Sequence, residues 1–306
     1  MFQRAKRELQ VGQILQSEKG QEYTIERNIS RTLSSQVLGA VRNQDRVEVA
    51  IKAPIIQVDE DAKRFERELQ ILYQVVGRPG IIRILDHGKN SEFAVLEYIG
   101  EITLSRLIKA LSYNQIALKP KEVISILKQM TLVAIELERV GVYSRDIKPS
   151  NFFIGDMRIK AFDFGIAKGS SSEDLTPAGT VIGTCAYMAP EMMFGAFDGP
   201  RSEIFSIATV GAELVTGRRI VDNEELNLAQ IHQLRSDEVY FGEQVPRRLQ
   251  RTLQRALQMD PGKRQRNFRV FFEDLESAEE EIADEISGVR RVPTAEDTKF
   301  IKVENY

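Results

Sequence analysis

Tryptophan is absent from this 306-residue chain, cysteine occurs once and histidine twice. A lone Cys185 can close no internal disulfide, and with His87 and His232 it supplies too few ligands for a zinc cluster. A reducing compartment fits that composition. Long apolar runs are missing as well. The stretch from Ile204 to Val215 is too short to span a bilayer, and the charged start from Met1 to Gln10 carries no signal peptide. The sequence therefore predicts a cytoplasmic protein with no membrane partner. Basic excess is also lacking: 42 Lys and Arg face 45 Asp and Glu, for a net charge of −3, which argues against a nucleic-acid partner. What remains is 42% hydrophobic and 28% charged, enough apolar material for one large domain or two lobes.

From Tyr23 to Ala53 the chain reads as short β-rich runs, including the alternation from Val47 to Lys52, broken by the polar turn Asn43-Gln44-Asp45. Asp59 to Val76 then places Phe65, Leu69 and Leu72 at helical spacing before Gly77, Pro79 and Gly80 stop the helix. Strands are expected at Ile81–Leu85 and Phe93–Tyr98. After Gly100 the periodicity predicts helices at Leu104–Leu111, Lys121–Val140, Ser202–Val215, Leu228–Leu234, Pro246–Gln258 and Phe268–Ile286. The Gly-, Ser- and Pro-containing stretch from Gly141 to Pro200 is read as irregular, and loops of that length are commonly functional. The expected organisation is an extension over 1–22, a β-rich lobe over 23–99, a helical lobe over 100–287 and a flexible tail over 288–306.

Four short motifs follow one another: Val49-Ala50-Ile51-Lys52, Arg145-Asp146-Ile147-Lys148-Pro149-Ser150-Asn151, Asp163-Phe164-Gly165 and Ala189-Pro190-Glu191. Each alone is weak. In this order and at these separations they resemble the signature set of eukaryotic-type (Hanks-type) serine/threonine protein kinases, in their bacterial form. The resemblance covers about Tyr23 to Glu285. It implies an α+β, bilobal kinase-like fold, with a small antiparallel N-lobe carrying one regulatory helix and a larger, mainly α-helical C-lobe. It also implies ATP and Mg2+ as cofactors, with Mn2+ as an alternative, and protein substrates.

Phosphoryl transfer calls mainly for positioning and neutralisation of charge, so cations, metal ligands and one base are the groups to seek. By resemblance, Lys52 lies over the α- and β-phosphates and Glu68 fixes it. Asp163 and Asn151 hold the metal. Asp146 is the base, and Lys148 reaches the γ-phosphate. Lys148, together with Thr184 near the base, points to a serine or threonine acceptor. Adenine is expected against the Glu97 carbonyl and Ile99 amide, beside Leu96, with Val37, Ala50 and Phe153 as apolar walls.

The chain departs from the family in three places. The glycine positions of the phosphate loop fall on Ser30, Thr32 and Ser35. Side chains there stiffen a loop that glycine would leave pliable, which predicts a weaker ATP affinity. Ser144 stands where the family usually has histidine, and Glu203 replaces a common aspartate. Glu191 is expected to pair with Arg264. Arg145, beside the base, implies an activation loop ordered by phosphate at Ser170, Ser171, Ser172, Thr176 or Thr180. In the tail, Arg290-Arg291-Val292-Pro293-Thr294 offers an autophosphorylation site for a phosphothreonine-reading partner. Two other functions share this fold: a pseudokinase scaffold, suggested by the missing glycines and Ser144, and a small-molecule kinase. Oligomeric state is not legible.

Overall fold

The computed structural model describes residues 8–32, 35–55, 59–114, 116–155, 157–163, 186–217, 241–242 and 245–287. Its first lobe is a six-stranded antiparallel sheet in the order β1-β2-β3-β4-β6-β5. The strands are β1 (Ile14–Gln16), β2 (Glu22–Arg31), β3 (Ser35–Arg42), β4 (Glu48–Pro54), β5 (Ile84–His87) and β6 (Ala94–Glu97). The turn predicted at Asn43-Gln44-Asp45 joins β3 to β4 and is fastened by Arg42 on Asp45.

Side chains of a strand alternate between its two faces, and β4 shows what this does for function. Val49, Ile51 and Ala53 enter a compact core on one face with Leu15, Tyr23, Ile25, Leu38, Phe93 and Val95. Ala50 belongs to the second, larger core on the opposite face, and Lys52 lines the same slot as Ala50. The alternation that buries one face therefore delivers Lys52 to the other. Helix α1 (Asp59–Gln74) buries Phe65, Leu69 and Leu72 in the larger core, which fixes its rotation and turns Glu68 inward.

The second lobe is built from α2 (Leu104–Tyr113), α3 (Pro120–Glu138), α4 (Pro200–Thr216), α5 (Arg247–Ala256) and α6 (Phe268–Ser287), with a hairpin of β7 (Phe152–Gly155) and β8 (Arg158–Ala161). Helix α4 is its stem: every residue from Ser202 to Val215 is buried. Gly211 permits this, because a Cβ there would come within 2.8 Å of Leu127 on α3. No helix among the described residues is long and apolar enough to cross a membrane.

Several sequence expectations are revised. Within the expected extension over 1–22, Ile14–Gln16 form β1 and pair with β2. The strand expected at Ile81–Leu85 begins only at Ile84; Ile82 N instead donates to Ala161 O of β8, at 2.9 Å, and Ala161 N to Gly80 O at 2.8 Å. Part of the stretch from Gly141 to Pro200 is the β7–β8 hairpin. The helix expected at Leu228–Leu234 lies outside the described residues.

Candidate active site

Three charged side chains from three elements meet below the sheet. Lys52 Nζ of β4 donates to Glu68 Oε1 of α1 and, at 3.1 Å, to Asp163 Oδ1 just beyond β8. Asp163 is the most exposed of them, at 37% of its side chain against 4% for Lys52 and 12% for Glu68. Burial disfavours the Lys52 ammonium, yet Asp163 and Glu68 outweigh it and raise its pKa. Burial also opposes the charge on Asp163, but Lys52 prevails and holds that carboxyl below its ordinary range. Glu68 fares differently: burial pushes it up to about 6, with Lys52 pulling it down and Asp163 opposing that pull. The result is a fixed, charged ammonium beside a half-exposed carboxylate.

The second group lies on the loop before β7. Asp146 Oδ2 is 2.7 Å from Lys148 Nζ. Asn151 donates through Nδ2 to the Asp146 carbonyl at 2.9 Å and to its Oδ2 at 3.2 Å. The one-turn helix Pro149–Asn151 brings these residues together. Phe162 N donates to Asn151 O at 3.2 Å, which ties this loop to the residue preceding Asp163. An amide oxygen and a carboxylate are hard donors suited to a divalent cation shared with phosphate oxygens.

Between the lobes runs a narrow apolar slot walled by Ile29, Val37, Ala50, Ile82, Leu96 and Phe153, with Lys52 at one side and Glu97–Gly100 along an edge. Its apolar walls offer a planar heteroaromatic group burial on both faces, while the edge supplies backbone polar groups. Val37, Ala50, Leu96, Glu97, Ile99 and Phe153 were all expected here from the sequence. Ile29, Ile82 and Phe162 were not, although Ile29 continues the period-two run from Tyr23 and Ile25. The Glu97 side chain points away from the ring site, accepting from Arg83 N at 2.9 Å and from Lys160 Nζ. Ser30, Thr32 and Ser35 do not wall the slot. They lie where β2 turns into β3, and Thr32 closes that turn: its N donates to Ser35 O at 2.8 Å, and its Oγ1 accepts from Ser35 N at 3.0 Å.

Supporting contacts are deeply buried. Arg264 forms a forked pair with Glu191, at 2.7 and 2.8 Å, and donates to the carbonyls of Gln258, Met259 and Arg201. Ser202 Oγ adds a bond to Glu191 at 2.6 Å. The longer carboxylate of Glu203 does reach the loop that carries Asp146, accepting from Arg145 N at 2.9 Å. Its other oxygen, Oε2, has no hydrogen-bond partner among the described residues, and burial pushes the group up to about 7. The Arg145 guanidinium rests over Phe197, 4.7 Å from the ring centre. Phe164, Gly165, Thr184, Cys185, His232, the five activation-loop hydroxyls and Thr294 lie outside the described residues.

The order of these elements, the slot between the lobes and the paired loops match a known pattern: a family model described as the protein kinase domain covers residues 23–271. The chain belongs to the protein kinase family. It is similar to the serine/threonine-protein kinase PrkC of Bacillus subtilis, at 32% identity over 225 residues covering 70% of this chain and 34% of that protein. It is also similar to PknA of Mycobacterium tuberculosis, at 29% over 208 residues covering 64% of this chain and 47% of that protein. A probable serine/threonine-protein kinase of Clostridium acetobutylicum is 27% identical over 293 residues, covering 92% of this chain and 42% of its own length. The chain thus spans about a third to a half of these relatives. The crystal structure of the Mycobacterium tuberculosis PknI kinase domain superposes with a TM-score of 0.60 at 22% identity, covering 89% of this chain and all of that one, a likeness of fold. Kinase folds host their chemistry in the cleft between the lobes, where this chain gathers Lys52, Glu68, Asp146, Lys148, Asn151 and Asp163.

Proposed function

We propose that this kinase-family chain is an active serine/threonine protein kinase that transfers the γ-phosphoryl group of ATP to protein hydroxyls. The observation that carries the reading is the Lys52–Glu68–Asp163 cluster, assembled beside an apolar slot and tied to the Asp146 loop through Phe162 and Asn151. Lys52 holds the α- and β-phosphates, and Glu68 keeps its ammonium in place. Adenine occupies the slot against the Glu97 carbonyl and Ile99 amide. Asp163 and Asn151 provide oxygen donors for Mg2+, or Mn2+, which supplies neutralising charge when bound. Asp146 orients the acceptor hydroxyl, and Lys148 lies beside the transferred group. The acceptor oxygen bonds to the γ-phosphorus, the bond to the β–γ bridging oxygen breaks, ADP leaves, and the hydroxyl proton passes to Asp146.

Protein substrates, autophosphorylation and a phosphothreonine-reading partner for Thr294 belong to the same reading, as does the division into lobes at residues 99 and 100. The pseudokinase alternative gains no support from the geometry, because the charged side chains that transfer requires are preassembled. Purified protein incubated with labelled ATP and Mg2+, with and without a basic protein, tests this beside Asp163→Ala and Asp146→Ala. Phosphoserine or phosphothreonine made by the wild type alone is expected. Nucleotide binding with no transfer to any hydroxyl would refute it.

A further inference from the structure

Strand β2 crosses the roof of the slot, and its register against β3 slips twice, between Ile25 and Arg27 and again between Asn28 and Ser30. Such irregularities re-aim neighbouring side chains, and Arg27 stands between the two. Its guanidinium lies over Tyr98, 4.9 Å from the ring centre. Nε donates to Glu101 Oε1 at 3.0 Å, and one terminal nitrogen donates to Glu48 Oε1 at 3.1 Å. The Tyr98 hydroxyl donates to the same Glu101 oxygen at 3.2 Å. Arg106 of α2 in turn holds the Glu101 carbonyl at 3.0 Å. Arg27 takes this path across Gly39, where a Cβ would come within 2.9 Å of its Cγ and Cζ.

These contacts form a continuous strut from β4 through β2 to the linker between β6 and α2, residues 98–103, and on to the first helix of the second lobe. They run along the edge where Tyr98, Ile99 and Gly100 border the slot. Opening the slot by lifting the roof strand requires Arg27 to leave Tyr98 and Glu101.

We propose that Arg27 is a positioning residue that sets the closed arrangement of the two lobes, and with it nucleotide affinity, through Glu101 and Tyr98. This rests on the nucleotide-binding reading of the slot. A strut of this kind raises the fraction of molecules competent to bind, and apparent affinity scales with that fraction. One half-exposed ion pair and one cation–ring contact together correspond to about a five- to tenfold change in Kd.

The test is calorimetric titration of wild type, Arg27→Met, Glu101→Gln and the double variant with a non-hydrolysable ATP analogue and Mg2+. Phosphotransfer kinetics follow on the same proteins. Arg27→Met is expected to bind about five- to tenfold more weakly, Glu101→Gln, which keeps the cation–ring contact, about two- to fivefold more weakly, and the double variant no more weakly than Arg27→Met. KM for ATP rises, while kcat stays within about twofold. Glu101→Gln sits on the linker and keeps the test open should Arg27→Met fold poorly. Unchanged affinity in Glu101→Gln, or losses that simply add in the double variant, would overturn the strut and leave the nucleotide site standing. A wild type that binds no analogue would overturn both.

Discussion

Replacing Glu203 by glutamine should make the protein's stability respond differently to pH. The carboxyl is 1% exposed, accepts from Arg145 N through one oxygen and leaves the other without a hydrogen-bond partner among the described residues. Burial raises its pKa from 4.5 to about 7; Glu138 adds to that rise, while the Arg145 and Ser144 amides and the Arg145 charge oppose it. A carboxyl raised in the folded state binds more protons there than in the unfolded chain. Its contribution to stability is therefore fully present below about pH 4.5 and is lost as pH rises through about 7. A separation of 2.5 units (7 minus 4.5), at about 1.4 kcal/mol each, gives roughly 3 kcal/mol in full. Roughly 2 to 3 kcal/mol of it falls between about pH 5 and pH 8. Glutamine presents the same carbonyl acceptor without titrating. Urea denaturation of wild type and Glu203→Gln across this range should show the wild type losing that amount relative to the variant. Asp163 and Glu191, whose carboxyls are held below their ordinary range, contribute with opposite sign in both proteins and cancel in the difference. Parallel stability profiles would refute the buried, proton-bearing carboxyl.

Lys52→Met should lower kcat on the order of 100- to 1,000-fold, since it removes a fixed cation from the phosphate site, and should also lower the melting temperature, since it leaves Glu68 buried without its partner; steady-state kinetics with a basic protein substrate, taken below that melting temperature, decide this. Arg264→Met strands Glu191 as a buried charge and should cost about 3–5 kcal/mol in denaturant unfolding, and a loss below about 1 kcal/mol would contradict the fully bonded geometry. Thr32→Val removes the hydroxyl that accepts from Ser35 N and should cost about 1 kcal/mol of local order, read as roughly fivefold faster hydrogen exchange at that amide.

Lys52 and Glu68 were named by their resemblance to kinase motifs, and local periodicity accounts for where the fold puts them. Lys52 ends an alternating run whose other face is buried, and Glu68 lies on a helix whose rotation is set by Phe65, Leu69 and Leu72. Asp146, Asn151 and Asp163 came from motif order alone, because the turns that bring them together leave no period to read. Arg27 escaped notice for a related reason: its partners are up to 74 positions away in the chain; Ile29 sits in the period-two run of β2, but two register slips change what that strand faces. Strand β1 is three residues long with a single buried side chain, too brief to signal a strand without β2 alongside it. Ile82 carried a strand-like signal, but its amide went to β8 of the other lobe rather than to β6. Helices α2 to α6 were legible to within a few residues at either end, as their apolar stripes are long.

The buried hydroxyl of Ser17 bears on how small this protein can be made. It donates to Asp86 Oδ2 at 2.6 Å, with Ser17 fully buried and Asp86 2% exposed. A fragment trimmed to residues 23–271, the span of the family match, would discard Ser17 and β1 and leave that carboxylate facing a gap. It would also cut α6 before Leu275 and Ala278, both fully buried, and before Glu279, which pairs with Lys128 of α3 at 2.9 Å. The unit that folds is therefore wider at both ends than the unit that sequence similarity outlines.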